Sequence, residues 1–160
     1  MRALIVTIRA LETGLRLGAA LCLGAMFLLV VAQVILRYVG GGVPVFSEEA
    51  ARYAMIWMTL LATAVAVREG SHIRIDFVPV GVASLSPLLG RLLEFALDLI
   101  AMGVFITLLV QGVDMVSFAA GQRSEGLRIA LSYPYAALPV SFALAALFAL
   151  ARLVVPGVRA

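Results

Sequence analysis

The side chains that could do chemistry in this 160-residue sequence are few: one histidine (His72), one cysteine (Cys22), nine carboxylates and 12 arginines, with no lysine. A bound haem needs axial ligands, usually histidines held among helices, and a lone His72 in an expected loop does not supply them. Cys22 can form no internal disulfide and no metal site by itself. Asp98 and Asp114 could act as a paired-carboxylate acid and base only side by side, yet along one helix they stand about 24 Å apart. What remains is ion or solute handling. Glu94, Asp98, Gln111 and Asp114 fall within or beside an apolar stretch, where a polar group is a functional candidate by default, although none sits at the middle of it. They can equally be interface-level groups paired with arginines such as Arg91, or contacts to another subunit.

The elements that must position these groups are set by composition. The sequence is 64% hydrophobic and 13% charged, with a mean hydropathy of +1.12, whereas soluble domains are about 45–50% apolar and about 25% charged. That excludes a water-soluble fold. The sequence therefore reads as an all-α integral membrane protein, with room for a handful of helices of about 20 residues and for no sizeable domain outside the bilayer. The net charge of +3 comes from arginine alone and sets orientation, so no nucleic-acid partner is expected. No catalytic residue, metal or cofactor is expected either.

Along the chain, residues 1–16 carry Leu4, Ile8, Leu11 and Leu15 on one helical face and Arg2, Arg9 and Arg16 on the other, which predicts an amphipathic interfacial helix or an ordinary basic lead-in. The following run is too long for a secretory signal and lacks an A-x-A cleavage site, so it is expected to be retained. A first span is predicted over 17–38. Gly40-Gly41-Gly42-Val43-Pro44 breaks it, and Ser47-Glu48-Glu49 reads as a helix start, with serine as cap and acids at the positive end of the dipole. The second span is predicted over 48–68, its uncharged part only about 22 Å long, so Arg52 and Arg68 must snorkel or meet a protein neighbour. An extended cytoplasmic loop is expected over 69–87, a third span over 88–118, a polar hairpin over 119–132, and a fourth span over 133–155. Pro134 falls in the first turn of that last helix, and Ser141, Ala145 and Ala149 give it a small-xxx-small face.

Eight of the 12 arginines (2, 9, 16, 68, 74, 91, 152 and 159) fall with the two termini and the second loop. By the positive-inside rule both termini are expected in the cytoplasm. All four tyrosines, Tyr38, Tyr53, Tyr133 and Tyr135, then collect at the outer interface, where amphipathic rings are favoured.

One combination of residues goes further. Phe46-Ser47-Glu48-Glu49-Ala50-Ala51-Arg52-Tyr53, then Trp57, then Val67-Arg68-Glu69-Gly70-Ser71-His72-Ile73-Arg74-Ile75-Asp76 resembles the second helix and loop of the small membrane subunit, often called DctQ-like, of tripartite ATP-independent periplasmic (TRAP) transporters. Val34-Ile35-Leu36-Arg37-Tyr38 and Leu131-Ser132-Tyr133-Pro134 with Pro139 extend the likeness over most of the chain. Ser47 departs from it, since the family often carries tryptophan there. The resemblance implies an accessory subunit of the bacterial inner membrane, not an enzyme. It implies that a large membrane subunit carries the solute and sodium sites, that a periplasmic substrate-binding protein captures the solute, and that the small subunit braces the first and helps dock the second. It places Glu48, Glu49, Arg52 and Trp57 at or near the large-subunit contact, has Arg68, His72 and Asp76 order the cytoplasmic end, and turns residues 40–46 and 121–131 to the periplasm. Membrane lipids are the remaining partners expected. A self-contained four-helix transporter acting as a homo-oligomer through Glu94, Asp98 or Asp114, and a bare anchor for another complex, are the alternatives from the residues alone.

Overall fold

The computed structural model describes residues 2–39, 42, 45–69 and 87–154. Within them the chain is helical: α1 (Arg2–Val39), α2 (Val45–Glu69), α3 (Pro87–Ala119), the short α4 (Ser132–Tyr135) and α5 (Ala137–Val154). Four stretches, with α4 and α5 counted as one, are long and apolar enough to cross a membrane. The described residues contain no strand, only an isolated antiparallel bridge between Arg123 and Ala130.

The helices stand in a row. α1 packs on α2, α2 on α5 and α5 on α3, while the two edge helices α1 and α3 share no substantial contact. The most apolar stretch of α1 buries none of its residues, against about a third in the last span. In water such edges would be untenable, but in a bilayer Leu21, Phe27, Leu28, Phe95 and Ile100 are free to face lipid or another membrane protein.

The core gathers Ile8 from α1, Ala64 and Val67 from α2, Phe105 from α3, and Ala145, Phe148 and Ala149 from α5. Ser141, Ala145 and Ala149 are all buried, so the small-residue face lets α5 sit between its neighbours. The Phe105 and Phe142 rings stack at 6.4 Å between centroids. Where α3 meets the start of α5 the backbones come closer still: a Cβ on Gly112 would lie 3.1 Å from the Pro139 nitrogen.

Two sequence expectations change here. The structure shows no separate interfacial helix, because residues 2–16 continue α1 without a break. Of their apolar face, Ile8 lies in the core and Leu11 and Leu15 pack against it. Ser47 does not cap α2 from outside. It is the third residue of a helix that begins at Val45, and it is buried.

Because Ile8 near the start of α1 shares the core with Phe148 and Ala149 near the end of α5, the beginning and end of the described chain lie at one end of the row. The N-terminus of α2 and the hairpin between α3 and α4 lie at the other.

Candidate functional site: two charged ends of the helix row

At the hairpin end, chain reversal after α3 is tight. Ser124 N–H donates to the Ile129 carbonyl at 2.9 Å and Leu131 N–H to the Gln122 carbonyl at 3.0 Å. Between them Arg128 takes a φ of 54°, the left-handed region that glycine occupies at least cost. The turn is fastened to α2 by Glu49. The Gly126 and Leu127 amides donate to its Oε2 at 2.9 and 2.8 Å, and the Tyr53 hydroxyl, one helical turn on, donates to Oε1. Two adjacent backbone N–H groups converging on one carboxylate oxygen form a small anion-holding concavity, and the anion here belongs to the protein.

Around this fastening runs a groove of about 480 Å³, bounded by the first turns of α2, the hairpin and α4. Glu48, Arg52, Arg123 and Glu125 stand at it, all exposed, and none of the four makes an ion pair among the described residues. Ile56 and Pro134 are among its apolar lining.

At the opposite end, α1 and α2 are joined by charge. Arg68 pairs with Glu12, and Arg16 pairs with Glu69 while holding Glu12 at 2.8 Å, one turn back on its own helix. Arg68 and Glu12 are mostly covered, their side chains 17% and 12% exposed, whereas Arg16 and Glu69 are open to solvent or headgroups. The four charges sum to zero, so this junction of α1 and α2 is itself neutral.

The remaining expected residues are dispersed. Trp57 is half-buried. By helical phase it lies on the flank of α2 opposite an exposed strip of Glu48, Arg52, Met55, Thr59 and Ala62. Glu94, Asp98, Gln111 and Asp114 all lie on α3. Gln111 and Asp114 are exposed, and Asp98 is half-buried and has an interaction partner. His72 and Asp76 lie outside the described residues. Among the described residues no three His, Cys, Asp or Glu side chains gather as a metal site.

Sequence reasoning reached Glu49 and Arg68 but not their partners. For Arg68 the signal was present, since Glu12 and Arg16 are spaced as an i, i+4 pair on a helix of opposite direction to α2. For Glu49 no sequence signal exists, because its partners are backbone amides 77 and 78 positions away.

The fold and the two charged ends define a multi-pass helical membrane protein whose described ion pairs and carboxylate-held turn lie at the ends of its spans. Residues 26–156 match the family of tripartite ATP-independent periplasmic transporters, DctQ component, and the chain belongs to that family, a transporter component. It is also 30% identical over 134 residues to the isethionate TRAP transporter permease protein DctMQ of Oleidesulfovibrio alaskensis. That match covers 76% of this chain and 20% of the relative, so the chain spans about a fifth of the relative's length.

Proposed function

We propose that this chain is the small permease subunit of a TRAP-type secondary transporter in a bacterial inner membrane, with both termini in the cytoplasm. In this reading it braces a large membrane subunit and helps dock a periplasmic binding protein during sodium-driven uptake of an organic acid or similar small solute. The observation that carries it is family membership combined with the open row of helices: among the described residues no three His, Cys, Asp or Glu side chains gather, and the two edge helices leave extensive apolar faces for a larger partner. The length of the relative supports the same division of labour, since four-fifths of that permease lies beyond what this chain matches. Isethionate is the solute that relative is named for, and a small organic acid of this kind is the solute class proposed for this chain.

The large-subunit contact is assigned to the exposed strip of α2, from Glu48 and Arg52 at its outer edge through Met55, Thr59 and Ala62, with Gln111 and Asp114 of α3 as further polar contacts. Trp57 supports that strip from behind. Glu49 and Arg68 act on the contact indirectly, by holding the hairpin and the α1–α2 pair in place, and His72 and Asp76 order the cytoplasmic end. The hairpin faces the periplasm and the binding protein.

The test is flux. Proteoliposomes holding the chain alone should take up no solute under an inward sodium gradient, and those holding it with the large subunit and the loaded binding protein should. Uptake by the chain alone would overturn the reading in favour of a self-contained transporter.

A further inference from the structure

The groove at the hairpin end carries two arginines and two acids, Arg52, Arg123, Glu48 and Glu125, that are exposed and make no ion pair among the described residues. Glu49, the fifth charge there, is already satisfied by the hairpin amides and Tyr53, so it does not compete for a ligand. It fixes the hairpin wall against α2. The groove also has an apolar part: along α2 its lining runs about 12 Å from Glu48 to Ile56, and Ile56, Leu131 and buried Pro134 of α4 belong to it as well as the charged side chains.

A site with free charges of both signs beside apolar lining fits a ligand with an anion and a cation close together and an apolar tail. We propose that this groove binds a phosphoethanolamine headgroup, supplied by a phospholipid of the outer leaflet of the membrane. Arg52 and Arg123 hold the phosphate, because guanidinium groups match phosphate oxygens with paired N–H donors. Glu48 and Glu125 accept from the ammonium. The start of an acyl chain lies along Ile56 and Pro134. A choline headgroup offers the same phosphate but a quaternary nitrogen with no N–H to donate, and a glycerol headgroup offers no cation, so the acids make the site selective. The outer leaflet follows from the proposed orientation, and because Glu48 and Arg52 also stand at the edge of the proposed large-subunit contact, the lipid lies at the rim of that contact. Its headgroup selectivity is read on the chain alone and so fails or holds separately from the transport reading.

The test is native mass spectrometry of the full chain released from nanodiscs containing equal parts phosphatidylethanolamine, phosphatidylcholine and phosphatidylglycerol. The expected result is retention of phosphatidylethanolamine by about fivefold or more over each of the others, the scale of one charge-assisted hydrogen bond. Arg52→Gln with Arg123→Gln should abolish that retained lipid. Glu48→Gln with Glu125→Gln should keep a bound lipid but lose the preference for ethanolamine over choline. These side chains are exposed and unpaired, so the variants should fold, and unchanged thermal unfolding confirms it. Equal retention of the three lipids, or a preference that survives the arginine changes, would overturn the proposal. So would binding of water-soluble O-phosphoethanolamine with no retained lipid, because the source would then not be the membrane.

Discussion

Glu49 holds the hairpin between α3 and α4 by receiving three donors, two of them backbone amides of the turn itself. Removing the carboxylate leaves those amides without their acceptor while the rest of the hairpin ladder stays in place. Glu49→Ala should therefore speed hydrogen exchange at Gly126 and Leu127 by about tenfold and leave α3 and α5 unchanged, as expected of local opening and not global unfolding. Tyr53→Phe should have a smaller effect in the same place, since it removes one donor and exposes no amide. Gly112 is the second position where one residue governs geometry. A side chain there meets Leu138 and Pro139 at 3.1–3.2 Å, and the backbone of Pro139 cannot move aside. Gly112→Val should lower stability in detergent by about 1–3 kcal/mol, the usual cost of overpacking. Gly103→Ala on the same helix, where nothing lies within 4 Å, should not.

At the scale of elements, the pairing of α1 with α2 is fixed at one end by Glu12 and Arg68. Because both are mostly covered, Glu12→Ala strands a guanidinium and should cost roughly 1–3 kcal/mol, between the values for exposed and fully buried pairs. The exchanged pair Glu12→Arg with Arg68→Glu should recover part of it, read as melting temperature in one detergent. Arg16→Ala disturbs a more open contact and should cost about 1 kcal/mol or less. These elements also show what the sequence could reveal. Four apolar stretches of membrane-spanning length are a matter of composition, and they stand in the sequence without ambiguity. The amphipathic face of residues 1–16 was equally visible, but an apolar face does not say whether it meets lipid or protein, and Ile8, Leu11 and Leu15 meet protein. The row order of the helices was not legible for the same reason: lipid and helix neighbours are alike in polarity, so hydropathy leaves no mark of which face is covered. Glu49 stood out as a charge at a helix start, while its function depends on a turn far along the chain.

For the whole molecule, the placement of both ends of the described chain on one side of the row meets the arginine distribution, eight of 12 assigned with the termini and second loop. With Cys22 replaced by alanine, a cysteine at exposed Gln122 should react with a membrane-impermeant maleimide from the periplasmic side of intact inner membranes. One at exposed Arg9 should react only after the membrane is opened. The reverse pattern would invert the proposed orientation. The open row itself poses the larger question of what covers α1, α3 and the strip along α2. A subunit that braces a larger one should not be found alone. Tagged chain drawn gently in detergent from a membrane that also makes the large TRAP subunit is the most direct measurement. The large subunit should come with it in equal amount, and Thr59→Trp on the exposed strip should weaken the association without lowering the amount of chain. Recovery of the chain only with copies of itself would contradict the bracing role.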